Sequence, residues 1–175
     1  EGDLDIQALT VMCDASVKLI SVVHASNVLG TVNPIQQIVY IAKTHGIAVC
    51  IDGAQTGGHM PIDVQAMDVD FYVLSGHKMF APFGIGALYG RRKHLESMPP
   101  YQLGGNMIEK VSQQTTTFAK SPARFEAGTC NVSGAIGLGE ACQFIMAQDR
   151  THMLAYEHAL SDYLHQRLHD VPKLR

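Results

Sequence analysis

Residues 19–51 leave this chain little choice of fold. Leu19-Ile20-Ser21-Val22-Val23 is a β-rich apolar run of strand length, and Asn27 to Thr31 is a polar, glycine-containing loop at its end. Asn33 then offers a helix N-cap and Pro34 a first helical position. The helix they start is expected to run to about His45 and to stop at Gly46. A second apolar run, Ile47-Ala48-Val49-Cys50-Ile51, follows at once. Strand, helix and strand in so short a span make a βαβ unit, and its two strands must be parallel. Further along, the pattern predicts strands at 71–74 and at about 84–89, then an irregular stretch with weak strand signals over 100–128. Two helices are expected at about 131–148 and 150–170, and a short one at 5–12. No long linker, repeat or low-complexity segment interrupts this alternation. The expectation is one α/β domain over 1–175, a mainly parallel sheet flanked by helices.

The bulk properties exclude several classes. A formal charge of -3 and a pI near 6.3 give no electrostatic footprint for nucleic acid. The one basic run, Arg91-Arg92-Lys93-His94, lacks interleaved aromatics and reads as a solvated helix start. No apolar stretch reaches the length of a membrane span, and Glu1-Gly2-Asp3 does not resemble a signal peptide. Cys13, Cys50, Cys130 and Cys142 are spaced for neither zinc nor a disulfide framework, which suits a reducing, cytoplasmic location. His158, His165 and His169 share a helix face without an acid or cysteine partner, so they read as a solvated face and no metal is expected. Gly134, Gly137 and Gly139 read as allowing close helix packing, and Met60, Met67, Met79 and Met107 as core filler. The chain starts without methionine and stops at Pro172-Lys173-Leu174-Arg175, where a further strand would follow, so it is expected to be a fragment of a larger domain.

Two tetrapeptides carry the chemistry. Asp52-Gly53-Ala54-Gln55 follows the apolar run that ends at Ile51, and Ser75-Gly76-His77-Lys78 follows Phe71-Tyr72-Val73-Leu74. In an α/β sheet, ligands bind beyond the carboxyl ends of the strands, so the acid and the lysine would face a common cleft. Taken alone, Asp52 reads more simply as an N-cap or a turn residue in Asp-Gly, and Gln55 as merely exposed. Ser-Gly-His-Lys alone reads as a polar loop, and the spacing of a nucleotide phosphate loop is absent. Together they form the pairing that pyridoxal phosphate (PLP) needs: a lysine for the Schiff base and a carboxylate that keeps the pyridine nitrogen protonated. Gln55 is placed to donate to the cofactor's phenolic oxygen. Ser75 and His77 flank Lys78 as donors suited to a phosphate, and Gly76 lets the backbone approach closely.

Four segments, Ser26-Asn27-Val28-Leu29-Gly30-Thr31, the two tetrapeptides, and Arg124-Phe125-Glu126-Ala127-Gly128-Thr129, come in an order and spacing that resembles class V, fold-type I PLP enzymes. The likeness is closest to the cysteine desulfurases of the SufS and CsdA type, a group that overlaps with selenocysteine lyases. It runs to about Gly139. The resemblance implies the central part of a PLP-binding large domain, with the C-terminal small domain absent from this chain. It implies that Lys78 binds PLP covalently and later moves the substrate α-proton. Asp52 would pair with the pyridinium nitrogen, Gln55 with the phenolic oxygen, and Ser75 and His77 with the phosphate. Asn27 would hold the substrate carboxylate, and Thr129 would reach the phosphate of the neighbouring subunit in a homodimer. The implied reaction takes L-cysteine to L-alanine and passes sulfur to an acceptor protein, in sulfur metabolism and iron–sulfur cluster assembly. Selenocysteine lysis or class V transamination is the alternative, and a non-catalytic structural fragment is the alternative of another class.

The departures from that pattern also carry expectations. The family's persulfide-forming cysteine lies in a C-terminal domain, and none of the four cysteines here matches it. The histidine that stacks on the PLP ring would lie upstream of Glu1. Ala81-Pro82-Phe83-Gly84 stands where relatives commonly have Gly-Pro-Thr-Gly, and Cys130 stands where proline is usual. The 175 residues by themselves are therefore expected to show no sulfur transfer. A sheet truncated in this way is expected to expose an apolar face and open edges.

Overall fold

The structure, a computed structural model, describes residues 2–172. Glu1 and the chain end at 173–175, after which a further strand is expected, lie outside the described residues. A short helix α1 (Ile6–Met12) leads into a four-stranded sheet of order β1 (Leu19–Val23), β2 (Ala48–Asp52), β3 (Phe71–Ser75), β4 (Gly86–Gly90). β1, β2 and β3 run parallel, and β4 returns antiparallel to β3. The sheet is thus mainly parallel, as the βαβ pattern requires. The exception arises because a short loop from β3 to β4 cannot make a parallel crossover.

Helix α2 (Ile35–Thr44) covers the sheet. Ile35, Ile38, Val39 and Ala42 fall at i, i+3, i+4 and i+7, and all are buried. With Ile41 they pack on Ile20, Val49, Ile51 and Tyr72 of the three parallel strands. Each fully buried aliphatic side chain contributes roughly 1.5–3 kcal/mol, so this layer dominates the stability of the unit. The helix ends in a Schellman motif. Ile47 N–H donates to Ala42 O and Gly46 N–H to Lys43 O, with Gly46 at φ 67° and Ile47 buried. At the other end the expected cap is corrected. Pro34 occupies the N-cap position, and Asn33 instead donates from Nδ2 to Val23 O at 2.8 Å. Asn33 therefore ties the loop back to β1, leaving the helix without a side-chain cap.

The 100–128 stretch contains a small hairpin, β5 (Ile108–Val111) with β6 (Thr116–Phe118), next to α3 (Arg92–Ser97). The basic run at its start is not wholly solvated. Arg91 pairs with Asp68 and lies near the buried Asp70, and His94 Nε2 sits 2.8 Å from Asp70 Oδ1. Asp70 also accepts Val49 N–H at 3.0 Å, so this cluster clamps β2 to β3. Arg92 and Lys93 are exposed, as expected.

Helices α4 (Val132–Met146) and α5 (Arg150–His169) close the described chain. The glycines of α4 differ in use. A Cβ on Gly137 would meet Pro82 at 2.7 Å, whereas Gly139 faces open space. Met79 and Met107 are core residues, and Met60 and Met67 are half-buried. No residue of α5 is buried, and Phe144, Tyr156, Leu160 and Tyr163 are exposed. β1 and β4 are both open edges of the four-stranded sheet. Among the described residues no helix is long and apolar enough to cross a membrane.

Candidate active site

The carboxyl ends of the three parallel strands lie side by side, with Val23 paired to Asp52 and Asp52 to Val73. Parallel pairing is what brings the two tetrapeptides together, because each begins where its strand stops. A cavity of about 270 Å³ opens there, lined by Val23, Ala25, Asn27, Asp52, Ala54, Gln55 and Lys78. A second hollow on the outer side shares Asn27 and Gln55 and is bordered by His59, Glu157 and His158. His59 Nδ1 lies 2.9 Å from Glu157 Oε1, so α5 is fastened at the rim.

Asp52 takes the turn role its sequence context allows. Its Oδ1 accepts Ala54 N–H at 2.9 Å, an Asx turn that shapes Asp-Gly-Ala-Gln. Its Oδ2 has no partner among the described residues. Gly53 N–H donates to Val73 O at 2.9 Å, and Thr56 and Gly57 N–H both donate to Gly53 O. The carboxylate thus rides on a turn pinned to β3.

Lys78 closes a single 3₁₀ turn, Gly76–Lys78, that follows β3 directly. Gly76 is buried, and a Cβ there would stand 2.6 Å from Ile85 O, so only glycine fits where the chain folds back toward β4. Met79, itself buried, anchors the turn from below. The Lys78 side chain is half-buried and has no hydrogen bond or ion pair among the described residues.

The sequence patterns did not single out the Gly57-Gly58 pair, which sets the height of this turn. A Cβ on Gly58 would stand 2.5 Å from the Lys78 carbonyl oxygen. Two adjacent glycines soon after a strand are the signal that marked it. Arg150 of α5 reinforces the same loop through Nη2, which donates to Gly57 O at 3.1 Å and to Met60 O.

The other expected residues are placed unequally. Gln55 and Asn27 line the cavity, Gln55 half-buried and Asn27 exposed. Ser75 precedes the lysine turn and His77 lies within it, but neither lines the cavity. His77 is exposed, with its ring stacked on Phe83 at 5.6 Å and 17°. Phe83, a departure from the family pattern, is itself exposed and stacks on that imidazole at the surface. Thr129 is exposed and lies outside the cavity, next to Gly128, whose N–H donates to Gly105 O. None of the four cysteines lines the cavity. Cys50, beside Asp52 in sequence, is held above the usual thiol range, chiefly by burial. Hydrogen bonding to Ser21 opposes the shift, and the charge of Asp52 adds to it.

The donor set fits PLP. One cavity presents an amine, a carboxylate with one unused oxygen and two side-chain amides, and among the described residues no opposite charge pairs with the amine or the carboxylate.

Comparison with known proteins agrees with this chemistry. The family model described as aminotransferase class-V matches residues 1–175. A cysteine desulfurase of Escherichia coli O157:H7 is 46% identical over 175 residues, which cover 99% of this chain and 43% of that protein. The crystal structure of the cysteine desulfurase CsdA from Escherichia coli superposes with a TM-score of 0.92 at 35% identity, over 96% of this chain and 42% of that one. A mutant of C-DES with glycine covalently linked to its PLP cofactor superposes with a TM-score of 0.84 at 26% identity, over 98% and 46%. The chain spans less than half the length of the relatives it matches. The chain belongs to the aminotransferase class-V family.

Proposed function

We propose that this chain is the cofactor-binding core of a PLP-dependent cysteine desulfurase, and that residues 1–175 are part of its large domain. The observation that carries the reading is the shared cavity, in which the unpaired Lys78 amine and the unused Asp52 oxygen face one space. PLP, when bound, supplies an electron sink for the pair left at the substrate α-carbon. Lys78 would hold the cofactor covalently and would move the substrate α-proton. Asp52 Oδ2 keeps the ring nitrogen protonated, and Gln55 donates to the phenolic oxygen. Ser75 and His77 donate to the phosphate, and Asn27 receives the substrate carboxylate. Thr129, exposed and away from its own cavity, serves the phosphate of the second subunit in a homodimer.

The reaction converts L-cysteine and an acceptor thiol to L-alanine and a persulfide on the acceptor. The acceptor is a cysteine other than the four in this chain, since none lines the cavity. Sulfur then passes to an acceptor protein for iron–sulfur cluster assembly in the cytoplasm. The test is alanine formation from L-cysteine by the full-length protein, with Lys78→Ala as control. The reading predicts alanine in the wild type and none in the variant. Alanine at equal rates in both overturns it.

A further inference from the structure

Behind Asp52 lies a buried polar chain that the cofactor roles do not use. His24, at the end of β1, is 7% exposed, Thr56 is fully buried, and Tyr72 of β3 is 1% exposed. His24 Nδ1 lies 2.8 Å from Tyr72 Oη, Tyr72 Oη lies 2.6 Å from Thr56 Oγ1, and Thr56 Oγ1 lies 3.2 Å from Gly53 O. The backbone repeats the connection, because His24 N–H donates to Asp52 O at 2.8 Å. The Tyr72 ring lies so close to Gly53 that a Cβ there would overlap Cε1.

The donor of the Thr56–Gly53 contact orders the other two bonds. Three contacts need three hydrogens, and the carbonyl of Gly53 can only accept. With Thr56 donating to Gly53 O, Tyr72 donates to Thr56 and His24 Nδ1–H to Tyr72. The reverse assignment, Thr56 to Tyr72 and Tyr72 to His24 Nδ1, leaves the 3.2 Å Thr56–Gly53 contact without a proton, so the His24 tautomer tells the two directions apart. Burial lowers the pKa of His24, which favours a neutral ring with a single ring proton.

We infer that His24, Tyr72 and Thr56 are positioning residues: a one-directional hydrogen-bond chain from the end of β1 that fixes the Asp52–Gln55 turn at the cofactor site. The role rests on the PLP reading, and the chain itself rests on geometry alone. Each link is local to the turn. Loss of a link lets the Asp52 carboxylate drift from the line to the ring nitrogen, where small displacements are costly.

Two measurements on the full-length protein test this. In the cofactor-free form, nitrogen-15 NMR of the His24 ring should show a protonated Nδ1 and a bare Nε2, and Tyr72→Phe should abolish that preference. A proton fixed on Nε2 overturns the chain. In the PLP-loaded form, Tyr72→Phe and Thr56→Val should each weaken PLP binding about tenfold, the equivalent of one to two hydrogen bonds. They should also move the pH midpoint of the bound cofactor's visible absorbance upward, because a less firmly protonated ring nitrogen withdraws electrons less strongly. Thr56→Ser, which keeps the hydroxyl, should restore both properties. A merely structural chain would lower the unfolding midpoint and leave the absorbance midpoint in place, and that result overturns the positioning role. If wild-type protein fails to bind PLP, the cofactor reading and the positioning role fall together, while the NMR result still decides the chain.

Discussion

Gly58→Ala offers a direct test of how the site is built. The added methyl group would stand 2.5 Å from the Lys78 carbonyl oxygen and 3.6 Å from Met79 Cα. Reaching 3.0–3.4 Å requires a shift of about 0.5–0.9 Å, and the obstacle is backbone rather than a side chain that can rotate away. The strain should cost about 1–3 kcal/mol of stability. Whatever part is relieved by moving Lys78 displaces the reacting amine, and a displacement near 1 Å can cost roughly 100-fold in rate. Gly57→Ala is the matched control. Its Cβ would meet Leu74 Cδ2 and Met79 Sδ, both at 2.7 Å, and both are ends of flexible side chains. Denaturant unfolding together with PLP titration should rank the variants Gly58→Ala worse than Gly57→Ala in both. Gly105→Ala, with nothing within 4 Å, should be silent. A Gly58→Ala protein with wild-type stability and wild-type PLP affinity would refute the claim that this contact sets the lysine's position.

Three more outcomes are expected. Asp70→Ala removes the acceptor of the buried Val49 N–H and the partner of His94, so denaturant unfolding should show a loss of about 3 kcal/mol while PLP still binds. Stability should fall as pH drops below about 6.5, because burial lowers the pKa of His24 and the unfolded chain then binds more protons. Its share is at most about 1.4 kcal/mol per pH unit, and His24→Gln should flatten that part of the unfolding profile. Serine in place of Cys13, Cys50, Cys130 or Cys142 should leave alanine production by the full-length protein unchanged in a coupled assay, because no persulfide forms on them.

The sequence exposed the βαβ unit because its signals agree: Gly46 stops α2 in a left-handed turn, and the apolar spacing of Ile35 to Ala42 matches the face it buries. The cavity residues Asp52, Gln55 and Lys78 were legible because strand ends in a parallel sheet lie side by side, whereas Asn27 was marked only by the family resemblance. What local pattern could not show was long-range pairing. Asn33 looked like a cap, but a carbonyl at the end of β1 outcompetes the helix for its amide. Arg91 and His94 looked solvated because Asp68 and Asp70 reach them only after β3 and β4 pair. Tyr72 read as one more strand residue, and its hydroxyl gained importance only when His24 and Thr56 met it from other segments.

The central claim is that Lys78 and Asp52 share one PLP site. Borohydride reduction of the PLP-treated protein, followed by peptide mapping, tests it most directly. The account predicts a single label on Lys78, absent in Lys78→Ala and weakened in Asp52→Ala. Labels scattered over surface lysines such as Lys93 and Lys110, with Lys78 unmodified, would contradict it.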